Sequence, residues 1–191
     1  MTNYLDNLTV PNNDIEKIFD ILGEGIIIAG GCFKDVNKGI RPKDYDVWFK
    51  TPMDFAQAAT ILACDTDCSF LYNSDKAIGY SVPGIMPHVE LILFKFGNVK
   101  DILDCFDFTI TQYAIYKENH LFHSVCNPDF AKDLKDHNLN VTQLEYPAQT
   151  LARMFRYTTY GYYPTPLALQ KVCREITKMS ANAKIDLSPL Y

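Results

Sequence analysis

No apolar run in the 191-residue sequence approaches the about 18 residues that a bilayer crossing needs, which excludes a transmembrane helix. Positive charge is also scarce. Eighteen Lys and Arg stand against 23 Asp and Glu, for a net charge of −5, so no global basic field holds a long polyanion by counterion release. Any nucleic-acid contact must be local, and Lys34, Lys38, Arg41 and Lys43 supply one cluster for it. The six cysteines carry no metal pattern: only Cys64 and Cys68 lie close in sequence, and no second Cys or His pair completes a zinc site. Their scatter through apolar or strand-like runs predicts buried, reduced thiols in a reducing compartment. The opening "MTNYLDNLTV" has neither a basic start nor an apolar core for export. The sequence therefore predicts a soluble cytoplasmic protein with no membrane partner, and leaves the oligomeric state open. Repeats and low-complexity segments are absent from it.

What is present is ordinary globular material, 48% hydrophobic and 21% charged, enough for a domain with a real core and a smaller appendage. "NNDIEKIFDILGEG" spaces Ile15, Ile18, Phe19 and Leu22 as one helical face and stops at Gly23 and Gly25. "IIIAGG" is too short and too β-branched for anything but a buried strand, and "DYDVWFK" is a second strand. "PMDFAQAATILAC" reads as a helix opened by Pro52. The runs "CSFLYNS", "AIGYSV" and "HVELILFKF" add strands, "NVKDILDCF" a short helix, "DFTITQYAIY" a strand and "HLFHSV" its hairpin partner. Beyond Pro128 the pattern is helical in "FAKDLKDHNL", "AQTLARMFRYTTYG" and "PLALQKVCREITKMSANA". The expected class is α+β: a mixed sheet with flanking helices over residues 1–126, then an all-helical part over residues 127–191.

The chemistry hangs on three acids. Residues i and i+2 of a strand share a face, so Asp44 and Asp46 hold two carboxylates a few ångströms apart. Such a pair repels unless a divalent cation lies between its members. A lone Asp-x-Asp often only solvates a strand edge; here Gly30 and Gly31 precede it on a strand-to-helix turn, where glycine lets backbone approach phosphate oxygens. Glu90 is the candidate third acid of a two-metal arrangement. Amid "PHVELILFKF" it is either metal-bound or on the exposed side of an edge strand. His88 is either structural or placed to shuttle a proton or touch phosphate. The four tyrosines of "YTTYGYYPTP" either stack on bases or pack internally, and Trp48 belongs to the core.

In order, "AGGCFKDVNKGIRPKDYDVWF", "FDFTITQYAIY" and "RMFRYTTYGYY" resemble three motifs of the polymerase-β-like nucleotidyltransferase superfamily. They are most similar to its tRNA nucleotidyltransferase (CCA-adding) and bacterial poly(A) polymerase branch, over roughly residues 15 to 165. The family patterns are Gly-Gly-x-Val-Arg-Asp with Asp-x-Asp, Arg-Arg-Asp-Phe-Thr-Ile-Asn-Ala, and the Arg-x-x-Arg-Phe neck helix. The resemblance implies a catalytic head followed by a neck-like helical region. It implies transfer of a nucleoside monophosphate from an NTP to an acceptor hydroxyl, an RNA (tRNA-like) 3′ end first among acceptors, with release of pyrophosphate. It also implies two Mg2+ ions, with Mn2+ as the alternative, held by Asp44, Asp46 and Glu90, with Glu90 helping to activate the attacking hydroxyl. Gly30 and Gly31 would offer amides to the triphosphate. Lys34 stands for the family's arginine and Asp35 matches its aspartate. Asp107 would lie near a ribose, and Arg153 and Arg156 would reach a triphosphate or base.

The departures are specific. Cys105 and Phe106 replace the paired arginines, and Thr111 replaces the Asn. "YPAQT", residues 146 to 150, stands where CCA-adding enzymes carry the Glu-Asp-x-x-Arg set that reads the incoming base. With about 30 residues after the neck-like helix, the expectation is a minimal member without the larger body and tail. Nucleotidylation of a protein or small molecule, and a non-catalytic nucleotide- or RNA-binding module, are the competing functions.

Overall fold

A computed structural model describes residues 3–179. The chain divides into two compact units, residues 1–105 with 111–128, and residues 106–110 with 129–191.

The first unit runs β1 (Leu5–Leu8), α1 (Asn13–Leu22), β2 (Ile26–Ala29), α2 (Cys32–Val36), β3 (Tyr45–Phe49), α3 (Pro52–Cys64), β4 (Ser69–Asn73), β5 (Ala77–Val82), β6 (Ile85–Phe96), α4 (Val99–Leu103), β7 (Tyr113–Glu118) and β8 (Leu121–Cys126). Its strands form one sheet in the order β1-β8-β7-β2-β3-β6-β5-β4. Every pairing in it is antiparallel except β3 with β6. That parallel pair requires a crossover, which α3 and the β4–β5 hairpin provide.

Local chemistry explains these elements. Asn12 caps α1 by accepting from the Ile15 amide at 2.9 Å, and Ile15, Ile18, Phe19 and Leu22 form its buried stripe. Thr51 and Asp54 close a capping box on α3. Tyr45, Val47 and Phe49 alternate on one face of β3 and are fully buried. That face is covered by helices: the Tyr45 hydroxyl donates to Asp14 of α1 at 3.2 Å, and Phe49 packs edge-on against Phe55 of α3. Ile18 and Leu22 of α1, Leu62 of α3 and Val89 of β6 form a closed apolar layer on the same side. The opposite face of β3 and β6 carries Asp46, His88 and Glu90 towards one end and the Trp48–Phe94 ring pair towards the other.

The second unit holds α5 (Phe130–Asp136), β9 (Asn138–Leu139), α6 (Pro147–Thr159), β10 (Tyr163–Pro164) and α7 (Pro166–Thr177). A parallel β9–β10 ribbon, which an all-helical reading does not contain, joins its helices. The segment Phe106–Ile110 belongs here because its polar groups find partners here. Thr109 donates to Asp133 at 2.6 Å, the Thr109 amide to the Asn140 carbonyl at 3.1 Å, and the Thr142 amide to the Asp107 carbonyl at 2.8 Å. The single strand expected over "DFTITQYAIY" is corrected accordingly. Residues 109–111 make a 3₁₀ turn, and the strand begins at Tyr113. Tyr157 and Tyr162 are buried, with the Tyr157 ring against Phe108, while Tyr160 and Tyr163 are exposed.

Three other expectations change or fall outside view. Strand β1, unforeseen, zips onto β8 with its side chains exposed. Of the six cysteines, only Cys32 is fully buried; Cys64 and Cys173 are exposed because they sit on outward helix positions. Residues 180 to 183 of the last expected helix lie outside the described residues. Among the described residues, no helix is long and apolar enough to cross a membrane.

Asp133 is 1% exposed and accepts from Thr109 and from the Asn140 amide, the latter at 2.9 Å. Its truncation strands the buried Thr109 hydroxyl and the half-buried Asn140 amide. Asp133→Ala should lower stability by roughly 2–4 kcal/mol in a denaturant melt, whereas an exposed control such as Lys132→Ala should stay within about 0.5 kcal/mol.

Candidate metal centre and nucleotide site

Parallel pairing of β3 with β6 places Asp46 opposite Glu90 and Tyr45 opposite Val89. Neighbours across a ladder share a face, and side chains alternate along each strand. Asp44 and Asp46 therefore stand beside His88 and Glu90 on the face away from α1 and α3. Ligand atoms of Asp44, His88 and Glu90 all lie within 4.8 Å of one another. His88 Nε2 is 3.1 Å from Glu90 Oε1, and both side chains are about one-fifth exposed, at 23% and 20%.

A second layer reaches this face from the sheet edge. Gly79 of β5 is opposite Glu90 on one side and Tyr72 of β4 on the other. A Cβ at Gly79 would meet the Tyr72 ring at 2.4 Å, so glycine is what allows the ring to lie across β5. The Tyr72 ring packs edge-on against His88 at 6.3 Å. Burial first, then the neighbouring Glu90, pushes its hydroxyl well above the usual tyrosine range.

The electrostatics are those of acids crowded without enough positive charge. Burial first, then Asp44 and Glu90, push the Asp46 carboxyl well above its ordinary 3.8. Asp44 is raised by burial and by Glu90, against the opposing pull of His88, Lys34 and Lys43. Cys32, beneath the same face, is raised by burial and then by Asp46 and Asp44. Two carboxylates and one imidazole gathered within 4.8 Å, with the charge of Asp46 beside them, fit a divalent cation; the Asp46 carboxylate is not within that grouping.

The remaining residues named from the sequence lie around this face or in the second unit. Gly30 ends β2 with φ of 110°, a region open to glycine, but its amide donates to the Tyr113 carbonyl at 3.0 Å. It shapes the turn, and as placed it is not an amide donor to a triphosphate. Gly31 is the N-cap residue of α2. Lys34 is buried and donates to Asp35 at 2.6 Å, and its charge is felt at Asp44. Asp107, Arg153 and Arg156 belong to the second unit, where Arg153 and Arg156 lie on α6 and Arg153 Nε donates to the Asp107 carboxylate. Burial raises the Asp107 carboxyl, and Arg153 pulls it back down. "YPAQT" forms the start of α6, with Tyr146 at the N-cap and Thr150 buried.

His88, Tyr72 and Gly79 were not assigned to the site from sequence. For His88 the signal was available, since His88-x-Glu90 repeats the i, i+2 spacing of Asp44-x-Asp46. For Tyr72 and Gly79 none was, because their role depends on cross-strand register.

A carboxyl raised in the folded state costs stability as pH climbs from its unfolded value near 3.8 through its folded value. In chelator, Asp46→Asn should therefore melt higher than the parent at pH 7, by roughly 2–4 °C for each kcal/mol recovered. The gap should shrink toward zero as pH falls to 4. Saturating divalent ion should stabilise the parent, by about 2.7 kcal/mol at a hundredfold excess over Kd, and the variant far less.

The fold matches solved nucleotidyltransferases. An apo tRNA-processing enzyme superposes with TM-score 0.70 at 16% identity, covering 90% of this chain and 49% of that one. A CCA-adding enzyme in complex with CTP gives 0.66 at 16% identity, covering 88% and 44%. The Thermotoga maritima CCA-adding enzyme complexed with tRNA gives 0.64 at 16% identity, covering 88% and 43%. The chain thus spans about half the length of these enzymes or less, and at such identity the likeness is one of fold: a nucleotidyltransferase-type mixed sheet. Among curated proteins none matches. The family model described as "Gabija anti-defense 2 family protein" matches residues 2–137, and the chain belongs to the Gabija anti-defense 2 family.

Proposed function

We propose that the protein is a metal-dependent nucleotidyltransferase, moving a nucleoside monophosphate from an NTP to an acceptor hydroxyl with release of pyrophosphate. The observation that carries this reading is the grouping of Asp44, His88 and Glu90 within 4.8 Å, with Asp46 facing Glu90 across the β3–β6 ladder. It recurs at the place in the chain where the resemblance to nucleotidyltransferases puts their metal carboxylates.

In the reaction the acceptor oxygen forms a bond to the α-phosphorus as the bridging bond to pyrophosphate breaks. Asp44, Asp46 and Glu90 are the residues proposed to hold a pair of divalent ions. Bound there, the ions would neutralise charge developing on the attacking and leaving oxygens. Glu90 is also proposed to take the hydroxyl proton onto a carboxylate oxygen, with His88 beside it at 3.1 Å. Lys34 and Asp35 are proposed to meet the triphosphate side, with Gly31 at the turn. Asp107 is proposed to face a ribose, and Arg153 and Arg156 a triphosphate or base. Positioning and electrostatics account for most of such catalysis.

For the acceptor, an RNA 3′ end is the first reading. Structural neighbours are complexes with a primer tRNA and an ATP analogue, and with tRNA. The family description favours a second acceptor class, a hydroxyl on a protein of the defence that the family counters. Without the Glu-Asp-x-x-Arg set at "YPAQT", tRNA maturation by ordered addition of C and A is disfavoured.

The test supplies each α-labelled NTP with a divalent ion, total cellular RNA and the proteins of a cell carrying the defence. Label should enter one acceptor class and fall at least on the order of 10²–10³-fold in Asp44→Ala or Asp46→Ala. Labelling that survives in both variants would overturn the metal assignment, and no labelling of any species would overturn the transferase reading.

A further inference from the structure

We infer that His88 is itself a metal ligand, making the centre a mixed nitrogen and oxygen site that prefers a transition divalent ion of the Mn2+ class over Mg2+. The inference rests on the reading of this face as a metal centre and adds the identity of the ion it selects.

Three observations converge. The ladder sets Glu90 beside Asp46, and alternation along β6 turns His88 to the same face as Glu90, whose carboxylate its Nε2 approaches at 3.1 Å. Its nitrogen is among the ligand atoms that lie within 4.8 Å of one another. An ion with ligands at about 2.1 Å spans about 4.2 Å between opposite donors, so small side-chain rotations bring all three onto one cation. Tyr72 packs against the imidazole, its ring edge-on to His88 at 6.3 Å.

The donor set then decides the metal. Mg2+ is hard, takes oxygen ligands and keeps several waters, whereas imidazole nitrogen favours transition divalent ions. Exchanging one oxygen donor for His88 therefore weakens the case for Mg2+ more than for Mn2+. The competing role for His88 is a resident cation that neutralises Glu90 across their 3.1 Å contact. In that role it would leave the ion's ligand shell entirely oxygen.

Pulsed electron paramagnetic resonance on the Mn2+-loaded full chain separates these roles. The spectrum should show hyperfine modulation from a directly bound nitrogen, and ¹⁵N-histidine labelling should change it without any substitution. With four histidines in the sequence, His88→Ala and the shape-keeping His88→Gln assign the signal, and both should abolish it. In calorimetric titrations each should weaken Mn2+ binding about tenfold or more while leaving Mg2+ within about twofold. Mn2+ binding that depends on Asp44 and Asp46 but shows no nitrogen coupling would overturn this inference and leave the transferase reading standing. Mn2+ binding that is insensitive to Asp44→Ala and Asp46→Ala would overturn both.

Discussion

Two strands distant in sequence run parallel at the middle of an otherwise antiparallel sheet, and their register decides what the protein can do. Because Asp46 faces Glu90 across that ladder, alternation brings Asp44 and His88 alongside them. Alternation also sends Tyr45, Val47, Phe49, Val89 and Leu91 to the other side, where all are buried. A one-residue slip would exchange the two sets, burying four polar groups and exposing the core. The apolar face therefore locks the register, and the locked register creates the polar face. The crossover through α3 and the β4–β5 hairpin has a consequence of its own: it delivers Tyr72 to the strand beyond β5, where Gly79 lets its ring pass.

Stability and chemistry oppose each other on this face. Asp44 and Asp46 are both held above the ordinary aspartate range by enclosure and by neighbouring carboxylates, so without a cation the cluster weakens the fold that carries it. Such strain is common where function requires it and is offset elsewhere. Here the offset is the apolar packing of α1 and α3 against the reverse of the same strands. The second unit meets a different demand. It binds residues 106–110 through Asp133, Asn140 and Thr142, so the motif containing Asp107 belongs to that unit and not to the sheet.

Legibility in the sequence followed how local each cause was. The run Ile26 to Ala29, the helical stripe of Ile15, Ile18, Phe19 and Leu22, and the shared face of Asp44 and Asp46 depend on spacing within a few residues, and they were readable. The class of fold was readable too, because three motifs occur in order. What depended on contacts between distant segments was not. Nothing in "DFTITQYAIY" says that Phe108 will bridge to Val141 and leave the sheet. Nothing in "CSFLYNS" says that Tyr72 will cross a glycine to reach His88. The Gly30 amide looked like a phosphate donor in sequence and is a sheet donor in the fold, because the register of β2 with β7 brings the Tyr113 carbonyl to it.

A crystal structure with Mn2+ and a non-hydrolysable NTP, with anomalous data at the manganese edge, tests most directly whether one face of β3 and β6 holds divalent ions against a nucleoside triphosphate. Anomalous peaks for a pair of ions are expected at about 2.0–2.3 Å from carboxylate oxygens of Asp44, Asp46 and Glu90, with the triphosphate bound to the same ions. A peak elsewhere, or a triphosphate bound away from these three acids, would contradict it.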